Sequence, residues 1–272
     1  MEYYNQYGSC LLYKFTDKDT YWTPSGWMNG VLGVDGTKGY LVTPADEKYV
    51  GEQLDVIEKL WFSSYSDDFL KEFLPVKIML CSEIDSVYVT WDFSVTPVQM
   101  KYLSQEVQSW YNYDNICVSY GNIVVTQMTK EDSLAFRSSI SRTFIESMIG
   151  RGKTAPTTEF GESANYDISS SDMYTASKLW AAGIPQLVNS AISEDNDWKT
   201  FMMMMVLCPE EFLTRVPEYN SDWDSTSKNW DGILNPVKDV NGLLKKRYDM
   251  VRDYFIENYN MDLQKVGNIL NR

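Results

Sequence analysis

The sequence predicts an α+β fold, with a mixed α/β N-terminal half and a mainly helical C-terminal half. Two patterns point to it. Short β-branched and aromatic runs punctuated by glycine crowd the first 128 residues. Beyond them, apolar residues step by three and four, the spacing that lines up one face of a helix. There is no internal repeat and no clean linker. A single domain over 1–272 is therefore expected, with a mixed lobe at 1–128 and a helical lobe at 129–272.

Taken in order, Cys10–Phe15 reads as a strand, and Gly30–Val42 as glycine-punctuated strands turning at Asp35-Gly36 and Lys38-Gly39. Thr43, Pro44, Asp46 and Glu47 form a helix-start signal: a cap, a first-turn proline and acids at the positive end of the dipole. Val50, Leu54, Ile57 and Trp61 then mark one apolar helix face, and Phe69–Phe73 a second short helix ended by Pro75. Strands are expected at Val76–Cys81 and Ser86–Phe93, joined by a polar turn over 82–85. A helix should run from Thr96-Pro97 to Trp110. Ile116–Thr126 reads as a buried strand pair or one long strand bent at Gly121.

In the second half Phe136, Ile140, Phe144 and Met148 step by four before Gly150 and Gly152 end the helix. A polar loop follows at 153–171. Helices are expected at Asp172–Trp180, from about Pro185, and over Trp198–Leu207, where Met202–Met205 fill irregular core space. Residues 220–235 read as a long loop. Leu244, Tyr248, Val251 and Phe255 mark a long amphipathic helix, and Asn260 is placed to cap a last one carrying Leu263, Val266 and Leu270.

Composition restricts the chemistry more sharply than it restricts the fold. The chain contains 0 histidines, so imidazole-ligated zinc, Ser-His-Asp and Cys-His catalysis are excluded. With 38 acidic against 24 basic side chains the formal charge is -14, a surface that repels phosphate backbones and argues against nucleic-acid partners. Lys245-Lys246-Arg247 is the one basic run, and a solvated helix face accounts for it. Cys10, Cys81, Cys117 and Cys208 show no C-x-x-C pair; Cys81 and Cys117 lie in apolar runs and read as buried thiols, with disulfide pairing left open. Met1–Gln6 lacks a cationic start followed by an apolar stretch, so no signal peptide is expected in the chain, and no segment is long and apolar enough to span a membrane.

The order of features from about residue 50 resembles a family of zinc-binding metallopeptidases, the substrate import-associated zinc metallohydrolase lipoproteins. The resemblance rests on Phe73–Leu80, on the helix after Ile140, on Pro156–Phe160, on Trp180–Ser193 and on the ending Lys246–Arg272 with Asn260-Met261-Asp262-Leu263. It implies a zincin-like fold, and a secreted or outer-membrane lipoprotein held only through a lipid anchor that this chain does not contain. It also implies partners among outer-membrane transporters and surface glycan- or peptide-binding proteins. The family's H-E-x-x-H motif sets two imidazoles one helical turn apart, with a carboxylate to activate zinc-bound water. Here that stretch holds Ile145, Glu146 and Ile149. The third-ligand segment aligns with Asn196, Asp197 and Thr200. The resemblance thus implies a degenerate member with no metal and no cofactor, one that binds a peptide or glycan near a nutrient-uptake system without cleaving it.

Other readings stand beside it. A carboxylate-based glycoside hydrolase needs only two suitably spaced acids, and an adhesin subunit needs no site at all. A calcium loop starting at Asp222 lacks the required glycine and final acid, since Ser227 and Ile233 occupy those places. Trp22, Trp27, Trp223 and Trp230 lie among polar residues and are candidates for stacking on sugar rings.

Overall fold

The computed structural model describes residues 2–27, 38–185, 192–222 and 230–270. The expected strands before Lys38, the turn at Asp35-Gly36, most of the helix from Pro185 and the centre of the 220–235 loop lie outside them. The fold is mixed α and β. Two compact units divide the chain, one of Met1–Ser63 with Leu70–Arg151, the other of Ser64–Phe69 with Gly152–Arg272. Helix α4 (Asp67–Phe73) carries the chain from the second unit back to the first.

The first unit is organised on one long strand. It opens with α1 (Glu2–Tyr7), β1 (Cys10–Leu12), α2 (Asp17–Tyr21), the short antiparallel pair β2 (Trp22–Thr23) and β3 (Gly26–Trp27), β4 (Lys38–Pro44) and α3 (Val50–Leu60). After α4 comes β5 (Lys77–Asp92). Its first half lies parallel to β1 on one side and to β8 (Asn115–Val118) on the other. Its second half runs antiparallel to β4 and to β6 (Gln99–Glu106), while β7 (Ser109–Asn112) completes the sheet beside β8.

This overturns three sequence expectations. Lys38-Gly39 does not turn, because both residues pair within β4, opposite Tyr88 and Val87 of β5. Residues 82–85 do not turn, because Glu83, Ile84 and Asp85 each have a partner on β4, in Thr43, Val42 and Leu41. Ile84 is fully buried. The expected helix at 96–110 is instead β6 and β7: Met100, Tyr102 and Ser104 alternate opposite Trp91, Val89 and Val87, which is a strand period.

Boundaries differ as well, β1 stopping at Leu12 rather than Phe15. Pro44 ends β4, where Ala45 N–H donates to Leu80 O, so the helix start moves to Asp46, whose carboxylate accepts from Lys48 N–H at 3.0 Å. The strand expected over 116–126 stops at Val118. Gly121 then bonds Cys81 O through its N–H at 2.7 Å and accepts from Asp46 N–H. A side chain there would meet Ala45, the Gln53 amide and the Cys81 carbonyl, so the close approach requires glycine. Gln53, buried beneath it, donates to the carbonyls of Cys81, Val118 and Ser119.

Helix α5 (Lys130–Gly150) covers this sheet. Thr129 and Asp132 form a capping box at its start. Phe136, Ile140, Phe144 and Met148 are all fully buried, as their spacing predicts, each such side chain contributing roughly 1.5–3 kcal/mol. Ser109 on β7 lies 2.7 Å from the Ser139 hydroxyl and 2.8 Å from that of Thr143. Arg137 donates to the carbonyls of Lys59 and Leu60, closing the end of α3. Cys81 and Cys117 are buried in the sheet, and all four cysteines are free thiols.

The second unit is helical: α6 (Thr158–Glu162), α7 (Ala176–Ala181), α8 (Glu194–Leu207), α9 (Glu210–Thr214), α10 (Leu243–Tyr259) and α11 (Gln264–Ile269). Helix α6 interrupts the expected polar loop. Met202–Met205 are buried, with Phe160, Trp198, Tyr254 and Phe255 forming a run of edge-on ring contacts beside them. Leu244, Tyr248, Val251 and Phe255 face inward from α10 as predicted. Asn260 does not start α11. It ends α10 in the left-handed region at φ 48°, its N–H donating to Ile256 O.

Candidate functional site

The family motif's positions fall on α5. Ile145 is fully buried, and Glu146 and Ile149 are half-buried on the same helix. Ile145 and Ile149 stand one turn apart, the spacing a zinc motif uses, but an alkyl side chain offers no lone pair to a cation.

The third-ligand segment falls on the first turns of α8, which Ser193 caps by accepting from Asn196 N–H at 3.3 Å. Thr200 donates its hydroxyl to the Asn196 carbonyl one turn back, at 2.6 Å. Asp197 is fully buried, and its Oδ2 accepts from Arg247 Nη1 at 2.7 Å and from the Tyr166 hydroxyl at 2.9 Å. Arg247 also donates to Ser163 Oγ at 3.0 Å, to Gly183 O and to the Tyr166 oxygen. Its guanidinium carbon lies 4.1 Å from the Phe160 ring centre. Burial, then the Asp197 charge, pushes the Tyr166 phenol far above its ordinary range, so it stays protonated and keeps donating.

This corrects the reading of Lys245–Arg247 as a solvated face. Lys246 is exposed and Lys245 pairs with Asp249 at 2.6 Å, but Arg247 is buried. The signal was present in the spacing, because Arg247 sits three residues after Leu244 and four before Val251, on the apolar stripe itself.

These residues do not fit a zinc ion. Two candidate positions are alkyl, and the retained acid is already held by a guanidinium and a phenol. Among the described residues no three Cys, Asp or Glu side chains converge as a metal-binding group.

Of the four candidate tryptophans, Trp22 is 44% exposed, with its ring edge-on to Tyr113 at 5.9 Å. Trp27 is placed by its backbone, paired with Trp22 across the β2–β3 turn. Trp230 is half-buried. Trp223 lies outside the described residues. Asp222, first residue of the rejected calcium loop, accepts from Ser177 N–H at 2.8 Å. Among the acids, Glu106 is raised above the usual carboxylate range by burial and then by Glu83 and Asp85, the latter directly opposite it in the ladder.

A concave site that sequence reasoning missed lies in the first unit. A cavity of about 500 Å³ is lined by Tyr3 and Tyr4 of α1, by Ser9–Tyr13 along β1, by Val50 and Leu54 of α3, and by Leu80. Its size is that of a small-ligand pocket. No local pattern marks it, because it exists only once β1 has paired with β5.

No protein-family model matches the chain, and no curated protein is similar to it. Among solved structures it is similar to that of a "putative zinc-binding metallo-peptidase" from Bacteroides caccae, at 10% identity and a TM-score of 0.48, over 99% of this chain and 87% of the other.

Proposed function

We propose that this chain is a degenerate, non-catalytic relative of the zinc-metallopeptidase lipoproteins, one that binds a peptide or glycan beside an outer-membrane nutrient-uptake system. In this reading it is tethered to that membrane by a lipid anchor, and its partners are the transporter and surface binding proteins. The observation that supports the loss of catalysis best is the fate of Asp197. It is the acid remaining in the segment that should supply a third ligand, and its carboxylate is committed at zero exposure to Arg247 and Tyr166. Releasing it to a cation would leave the guanidinium buried and unpaired, at a cost of several kcal/mol. Glu146 keeps the chemistry of a general base, but its neighbours one residue before and three after are isoleucines that cannot hold the metal ion whose bound water it would activate.

The test is metal analysis of the purified protein, together with hydrolysis of a peptide library with and without chelator. The expected result is no stoichiometric zinc and no chelator-sensitive turnover. Stoichiometric zinc with turnover abolished by chelation overturns the proposal.

A further inference from the structure

We infer that the edge of β1 that no described strand covers and the cavity beside it bind an extended peptide, its backbone added as a strand along Ser9–Tyr13 and one apolar side chain seated in the cavity. The inference deepens the binding role proposed above and rests on it.

The first argument is geometric. Side chains of a strand alternate between the two faces of a sheet, so a cavity lying on one face meets every second residue. This cavity is lined by five consecutive residues, Ser9, Cys10, Leu11, Leu12 and Tyr13. It therefore reaches backbone as well as side chains along the strand, and extends to Leu80 on the neighbouring β5. Among the described strands β1 is hydrogen-bonded to β5 alone. Cys10 N–H donates to Val76 O at 2.8 Å, so the alternation of a parallel ladder turns the N–H and C=O of Leu11 away from β5. An extended peptide backbone is the ligand that matches such an edge, while a neighbouring pocket selects its side chain.

The second argument is chemical. Val50, Leu54 and Leu80 add an apolar wall, which suits an alkyl or aromatic side chain. The phenols of Tyr3, Tyr4 and Tyr13 stand around it.

The third argument is charge. Glu47, Val50, Leu54 and Glu58 recur at three- and four-residue steps, so an acid follows or precedes the apolar pair at each end. Glu58 accepts from the Tyr3 hydroxyl, and Glu47 holds Lys14 at 2.8 Å in a pair exposed enough to exchange. The chain as a whole carries -14. The preferred peptide has an apolar residue flanked by Lys or Arg.

The test uses the full chain and fluorescent, unstructured peptides with a central Leu, Phe or Trp flanked by Lys. Controls carry Glu flanks or a central Ser. Saturable binding is expected, weakened at least about tenfold by central Ser. Leu11→Pro removes the outward donor without breaking the β1–β5 ladder, and Leu54→Trp fills the cavity. Each should weaken binding at least about tenfold with thermal unfolding unchanged. If either variant unfolds, hydrogen exchange on the unsubstituted protein decides: bound peptide should protect the Leu11 amide. The inference is overturned if no peptide of the set binds saturably, if both folded variants bind undiminished, or if a fatty acid occupies the cavity while no peptide protects Leu11. None of these outcomes touches the zinc and turnover assay, so the two failures are told apart.

Discussion

The core around Arg247 and the hairpin of β5 and β6 invert the ordinary placement of side chains in opposite senses. In the first, a guanidinium is wholly buried. In the second, Trp91 and Phe93 are 54% and 79% exposed, with Val95, Val98 and Met100 exposed beside them. The difference is one of satisfaction. Arg247 meets a carboxylate, a carbonyl, a hydroxyl and a phenol, so each charge and dipole it loses to water is replaced. The hairpin's apolar groups gain nothing comparable. Trp91 and Met100 sit opposite each other near the end of a ladder running from Asp85–Glu106 to Asp92–Gln99, and Phe93, Val95 and Val98 lie in the connection beyond it. A buried charge with its partners is therefore a structural commitment, and removing half of it should be costly. An exposed apolar tip is a local feature that can be altered almost freely.

The largest effect follows from that asymmetry. Arg247→Met should destabilise the protein by about 3–5 kcal/mol, because it strands Asp197 in the core. Arg247→Met combined with Asp197→Leu should recover most of the loss, since a well-packed apolar pair of similar volume replaces a buried ion pair at little cost. Urea denaturation of the two variants measures both. A loss under about 1 kcal/mol for the single variant, the value of an exposed pair, would break the comparison.

How much of this was legible depended on how local the signal is. The faces of α5 and α10 could be read from Phe136, Ile140, Phe144 and Met148, and from Leu244, Tyr248, Val251 and Phe255, because helix contacts repeat within one turn. The motif positions on α5 were also placed on a helix, whereas α8 begins at Glu194, before the expected start at Trp198, and so takes in Asn196 and Asp197 as well. The length of β5 was not legible: Ser82–Asp85 reads as a turn until β4 pairs with it, and pairing depends on distant sequence. The same holds for β6, where Thr96-Pro97 suggested a helix start. Asp197 could be singled out only as an acid within the degenerate third-ligand segment, because its partner Arg247 is contributed by α10, far along the chain. The cavity beside β1 is non-local for the same reason.

Asp231 offers a smaller test on the side of buried charge. It is buried, which alone would raise its carboxyl, but the hydrogen bond from Arg215 at 2.6 Å and the one from Glu218 N–H at 2.7 Å outweigh burial and hold it below the usual carboxylate range. A carboxyl lowered in the folded state stabilises above its unfolded pKa, and that contribution is lost as pH falls through the folded value. Asp231→Asn should therefore be less stable than the parent at neutral pH, with the gap closing below about pH 4. Thermal unfolding from neutral to acid pH would show it. A constant gap across that range would mean the carboxylate's ionisation contributes nothing.

The smallest expected effect is at the hairpin. Phe93→Ser should change stability by no more than about 0.5 kcal/mol, the usual range for an exposed site. Trp91→Ser should cost slightly more, up to about 1 kcal/mol, because Trp91 sits directly opposite Met100 and loses a cross-strand contact. Both should shorten retention on a hydrophobic-interaction column, Phe93→Ser more, since it removes the more exposed ring. If Phe93→Ser instead destabilises as Arg247→Met does, the ring is packed against something in solution. The tip would then belong with the satisfied groups, and the contrast drawn from exposure would fail at this end.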